Sequence, residues 1–206
     1  ELWQRRVVET EASARILGVS RLEFLGYVDS GMVDTDTNDD PACFWQADVE
    51  EAAGRLAAIL AEENADVLTC YDANGVYGHP DHIQVHRVGV RAAELAGTPR
   101  VYESTFDRDR FAAMMAAAPE GAPDPGDLDP NAFGSPASAV TTRVDVSDVI
   151  DLKRKAMAAH ASQIGEQSFF LAMPADAFRM AFGQEDFIRR GAPAGTTEDS
   201  VLAGLT

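Results

Sequence analysis

Apolar residues recur along this chain with two different periods. From Trp3 to Leu17, Val7, Val8, Ala12, Ala14 and Ile16 fall among charged residues and the run stops at Gly18, which predicts a surface helix closed by a glycine. Arg21-Leu22-Glu23-Phe24-Leu25-Gly26 alternates, and predicts a short strand delivering Tyr27 to Met32 at its carboxyl end. After a polar loop from Asp34 to Pro41, helical spacing governs Ala47 to Glu63, apolar at Val49, Ala52, Ala53, Leu56, Ile59 and Leu60, with Glu50 and Glu51 near the positive end of the helix dipole. Ala65 to Cys70 reads as a short buried strand. Helical spacing resumes at Ile83, Val85, Val88 and Val90, within a helix from about Asp81 to Ala96, and a strand follows at Arg100 to Glu103.

The second half is less regular. Pro119 to Pro136 holds five prolines and three glycines, too many breakers for a helix or central strand, and predicts a long loop with the position of a lid. Val140 to Val146 alternates as an edge strand would. Asp148 to Gln163 follows as a helix bearing Lys153, Arg154, Lys155 and His160. Phe169, Phe170, Phe178, Phe182 and Phe187 predict helical packing over the core. Alternation of strands and helices points to an α/β fold with a mainly parallel sheet and flanking helices.

Composition narrows the function. At 206 residues and 46% hydrophobic, the chain can bury one substantial core, and residues 1–206 read as a single domain. With 34 acidic against 17 basic side chains the net charge is -17, which opposes a phosphate-tracking surface and argues against nucleic acid. A small neutral or cationic ligand fits better. Cys43 and Cys70 form no CxxC pair, so a reducing, cytoplasmic compartment is the simplest reading. No apolar run approaches the roughly 20 residues a membrane span needs. The chain starts at Glu1-Leu2-Trp3 without an initiator Met, which predicts a piece of a longer protein. Nothing in the residues selects between a monomer and a homo-oligomer.

Candidate chemistry is concentrated in Tyr77-Gly78-His79-Pro80-Asp81-His82, at a predicted strand-to-helix junction. Two imidazoles, a carboxylate and a phenol at the carboxyl end of a strand suit one half of a metal-dependent site. If one histidine binds a metal, the other is free to act as acid or electrostatic stabiliser. Asp81 could orient a ring by accepting its N–H. Tyr77, bracketed by Gly75 and Gly78, could donate to a developing oxyanion. His86, one helical turn beyond His82, shares its face and is placed to support it. A nucleophile-type α/β hydrolase is disfavoured because no G-x-S-x-G elbow is present.

Asp72 to His82, with His86 after it, resembles the second signature of the N-acetylglucosaminyl-phosphatidylinositol de-N-acetylase family, also called LmbE-like. Phe24 to Met32 and Lys153 to Gln163 are similar to segments of its actinobacterial mycothiol-pathway branch. The resemblance implies a Rossmann-like fold, a Zn2+ cofactor and a small N-acylated amino-sugar substrate. It implies that His82 is a zinc ligand, that His79 protonates the leaving amine or stabilises the tetrahedral intermediate, and that Tyr77 polarises the amide carbonyl. Asp29 matches an aspartate that holds sugar hydroxyls, and Arg6 an arginine that holds the other end of the substrate. His160 reads as a packed supporting group.

One part of the family pattern is missing. Its first signature, His-Pro-Asp-Asp, supplies a zinc-binding histidine and aspartate and the general base, and this sequence contains no such segment. Asp39-Asp40-Pro41 has no adjacent histidine. The resemblance therefore implies either that the signature lies upstream in a longer protein, these residues alone being inactive, or that this is a catalytically degenerate member with a sugar-binding or regulatory role.

Overall fold

Local sequence signals set the helix ends. In the computed structural model, which describes residues 1–116, 133–165 and 168–205, α1 (Leu2–Leu17) opens with a reciprocal capping box between Glu1 and Gln4. It closes at Gly18, whose φ of 74° a glycine adopts without penalty. α2 (Val49–Glu62) starts at Asp48, whose carboxylate accepts the Glu51 N–H at 2.9 Å. Then come β1 (Val67–Tyr71), the short α3 (Gly75–Gly78), α4 (Pro80–Ala96), β2 (Arg100–Thr105) and α5 (Arg108–Ala116). β3 (Thr142–Asp145), α6 (Ile150–Ala158), α7 (Phe169–Ala172), α8 (Ala175–Phe182) and β4 (Gln184–Arg189) complete the order. Among the described residues, no helix is long and apolar enough to cross a membrane.

The chain divides into two compact units. In the first, α1 packs on α6. Glu9, on α1, accepts both the amide and the hydroxyl of Ser162, and its carboxyl is held below the usual range chiefly by that hydroxyl. Arg154 lies over the buried Phe178 ring at 5.0 Å and donates to the Leu171 and Met173 carbonyls at 2.7 and 2.6 Å.

The second unit contains the sheet, in the order β1-β2-β4-β3. β1 and β2 are parallel, with Val67 opposite Arg100 and Tyr71 opposite Ser104, and α4 lies in the crossover that parallel neighbours require. Ala52, Ala53 and Leu60 of α2 meet Val88 and Ala92 of α4 in the main apolar cluster. The small residues let the two helices approach closely. Cys70 and Cys43 are buried free thiols, and burial pushes the Cys70 thiol up to about 12.

The α/β class and flanking helices agree with the sequence reading, with differences of detail. The sheet is mixed, because β4 runs antiparallel to β2, and it carries Phe187, a residue expected on a helix. Residues 21–26 form no strand. Among the described residues no strand lies beside this segment to satisfy its backbone, Leu22 and Phe24 are exposed, and the pairing nearby is an isolated bridge between Val28 and Cys43. The helix expected over 148–163 is shorter, at Ile150–Ala158 after a 3-10 turn. Most of the loop expected over 119–136 lies outside the described residues. Of the part described, Phe133 packs with Val76 and Phe111.

Candidate active site

The site begins where β1 ends. Asp72, buried to 2% exposure, accepts the backbone N–H groups of Asn74 and Val76 at 3.1 and 2.8 Å through one carboxylate oxygen. The other oxygen accepts the Thr105 hydroxyl at 2.5 Å, so the loop is tied to β2. These bonds hold Val76 at φ 66° and ψ -51°, a conformation that a β-branched residue adopts only when its surroundings impose it. The Val76 carbonyl is fixed as well, by the Gly134 N–H at 2.7 Å.

His82 is held on three sides. Its ring stacks on Tyr71 at 3.9 Å and 9°. Its Nδ1 lies 3.2 Å from the Gly75 carbonyl, which can only accept, so Nδ1 carries the proton and Nε2 keeps its lone pair. Burial, followed by the neighbouring His79, lowers the pKa below the ordinary histidine value and favours the neutral ring that metals bind. Gly75 makes this approach feasible: at φ +61°, a Cβ there would sit 2.7 Å from His82 Cβ and 2.9 Å from the Ile83 nitrogen. Gly75→Ala is accordingly expected to destabilise the protein by about 1–3 kcal/mol, read as a lower urea midpoint. An unchanged midpoint would mean that the loop does not press on α4.

His79 caps α4. Its Nδ1 accepts the Asp81 N–H at 3.1 Å with Pro80 opening the helix, so in this arrangement its ring proton is on Nε2. The two imidazole centroids are 4.9 Å apart. Tyr77 stands edge-on to both, 6.2 Å from His79 and 5.0 Å from His82. Burial, then Tyr71 and Asp29, raise the Tyr77 pKa, which keeps the phenol a proton donor. Asp29 is therefore within electrostatic reach of Tyr77 and also of His82, while its carboxylate accepts the Gly31 N–H at 2.9 Å.

Asp81 departs from the expectation of an imidazole partner. Its carboxylate is occupied by the amide of Ser30, at 3.1 Å, and by the Ser30 hydroxyl; the bond to His79 comes from its backbone N–H. His86 also acts at one remove: it donates Nδ1–H to the Tyr71 carbonyl at 3.1 Å, bracing the strand whose ring covers His82. Arg6 is half-buried on α1 and His160 follows α6, both in the first unit. The structure thus gathers Asp29, Tyr77, His79, Asp81 and His82 in the second unit. It adds Ser30, Tyr71, Asp72 and Thr105, to which the sequence reading gave no role; an acid directly after a strand and before Asn-Gly was the available signal for Asp72. Among the described residues, no group of three or more His, Cys, Asp or Glu side chains is placed to hold a metal ion.

Comparison with known proteins identifies the family. Residues 1–93, which include the whole Asp72 to His86 segment, match the PIG-L family, described as GlcNAc-PI de-N-acetylase. Three relatives carry the name 1D-myo-inositol 2-acetamido-2-deoxy-alpha-D-glucopyranoside deacetylase. The one from Thermobifida fusca is 44% identical over 79% of this chain and 63% of its own length. The first such deacetylase of Catenulispora acidiphila is 36% identical over 97% and 70%, and that of Acidothermus cellulolyticus 38% over 97% and 74%. The chain thus spans about two thirds to three quarters of these relatives.

Proposed function

Because the chain belongs to the GlcNAc-PI de-N-acetylase (PIG-L) family, we propose that it carries part of the active site of a zinc-dependent hydrolase that removes an N-acetyl group from a glucosaminide. The substrate class is taken from the relatives' names, a 2-acetamido-2-deoxy-glucopyranoside joined to myo-inositol.

The observation that carries this reading is the state of His82. A neutral imidazole with Nδ1 tied to a backbone carbonyl is the form in which histidine binds zinc. One imidazole is too few, since catalytic zinc takes three protein ligands, so the reading requires further ligands and a carboxylate base beyond the residues gathered around His82. When bound, the ion would supply Lewis-acid polarisation. Tyr77, kept protonated, donates to the amide oxygen as charge develops there. His79 offers Nε2–H to the same oxygen. Protonating the leaving amine from this ring would need the imidazolium, whose Nδ1–H cannot accept the Asp81 N–H, so the capped form favours oxyanion stabilisation. Asp29 supplies acceptors for sugar hydroxyls.

Full-length protein incubated with N-acetylglucosaminyl-inositol is expected to release free amine and to hold stoichiometric zinc, measured by amine-reactive fluorescence and elemental analysis. Sugar binding with neither zinc nor amine release would replace this reading with that of a non-catalytic sugar-binding member.

A further inference from the structure

Ser30 is fully buried, and all its polar groups are engaged. Its N–H and O–H both donate to the Asp81 carboxylate. The same Oγ accepts the Trp45 N–H at 2.8 Å. Its carbonyl accepts from Thr37 Oγ1 at 2.7 Å and from Asn38 Nδ2 at 2.5 Å. One small side chain therefore joins the 29–38 loop, the segment leading into α2 and the first turn of α4. Asp81 passes the connection on, because its own N–H donates to His79 Nδ1. Asp29 is the residue next to Ser30, so the chain Asp29–Ser30–Asp81–His79 runs from the candidate sugar contact to the candidate oxyanion donor.

We infer that Ser30 is a positioning residue, which through Asp81 holds Asp29 in register with the Tyr77–His79–His82 turn and so sets where the substrate's N-acyl group falls. The substrate part of this inference rests on the proposed de-N-acetylase function; the mechanical link does not. Removing the hydroxyl would leave one Asp81 oxygen short of a donor and the Trp45 N–H without an acceptor in a buried place, which loosens both ends of the link. Reactive geometry is sensitive to displacements of about 1 Å, so slack here is felt in catalysis.

Two readouts test the inference on the full-length protein. In Ser30→Ala, hydrogen exchange followed by mass spectrometry is expected to speed up in segments 29–38 and 79–83 together, with segment 100–105 unchanged. Wild-type protection over 79–83 would overturn the inference whatever the substrate. In kinetics, Ser30→Ala is expected to raise KM for N-acetylglucosaminyl-inositol by about tenfold with zinc content unchanged. If Ser30 acts through Asp29, the double variant with Asp29→Ala is no worse in KM than Asp29→Ala alone, whereas additive effects would overturn the assignment. Should Ser30→Ala fail to fold, Asp81→Asn, which keeps one acceptor oxygen for Ser30, carries both measurements. Coupled loosening in a protein whose wild type releases no amine would defeat the de-N-acetylase reading and leave the link standing.

Discussion

His82→Ala in the full-length protein is expected to lose zinc and turnover together, the metal falling from stoichiometric to trace after dialysis and amine release falling to background. In the proposed role the ring would be held by three contacts: the Tyr71 stack, the Gly75 carbonyl on Nδ1, and the close approach of Gly75 to its Cβ. Binding a metal depends on the number and preorganisation of its ligands, so deleting one of three removes most of the affinity. The imidazole is only half-buried, and the fold should survive with a loss of about 1–2 kcal/mol. Elemental analysis beside a urea titration separates loss of metal from loss of structure. Full zinc retention would show that His82 is not a ligand.

The second large effect has the opposite metal signature. His79→Ala is expected to keep zinc and to lower kcat by about 10²–10³-fold with KM little changed, the pattern of a lost transition-state donor. The same change removes the N-cap of α4, at about 1 kcal/mol of stability. His79→Asn distinguishes the two roles, because asparagine caps helices well but lacks the imidazole. It should recover stability and leave turnover low, as read from urea midpoints and steady-state rates. If asparagine restored turnover, His79 would be a cap and no catalytic residue.

How much of this was legible in the sequence depended on how local the cause was. α2 and α4 follow from apolar spacing within one segment, and Gly18 marks the end of α1 through a preference of its own backbone. The alternation at 21–26 was an equally clear pattern that formed no strand, because a strand exists only where another chain segment meets its backbone groups. The antiparallel direction of β4 was illegible for the same reason: period two reports faces and is silent on neighbours. Tyr77, His79 and His82 could be nominated from their types and crowding. Ser30 could not, since a serine before a glycine reads as an ordinary turn residue.

By itself, then, the sequence determined α1, α2 and α4, the α/β class and the family, and it nominated the side chains at the end of β1 as candidates for chemistry. Only the tertiary structure decided what those side chains are free to do. Asp81 is the clearest case: adjacent to a histidine in sequence, it gives its carboxylate to Ser30, 51 residues away. His82 owes its tautomer to a carbonyl seven residues back, and Val76 owes its strained conformation to Asp72, itself anchored on β2. Periodicity and composition act over one turn or one strand, whereas the partner of a buried polar group is chosen by the fold, and that choice fixes which lone pairs and protons are left for chemistry.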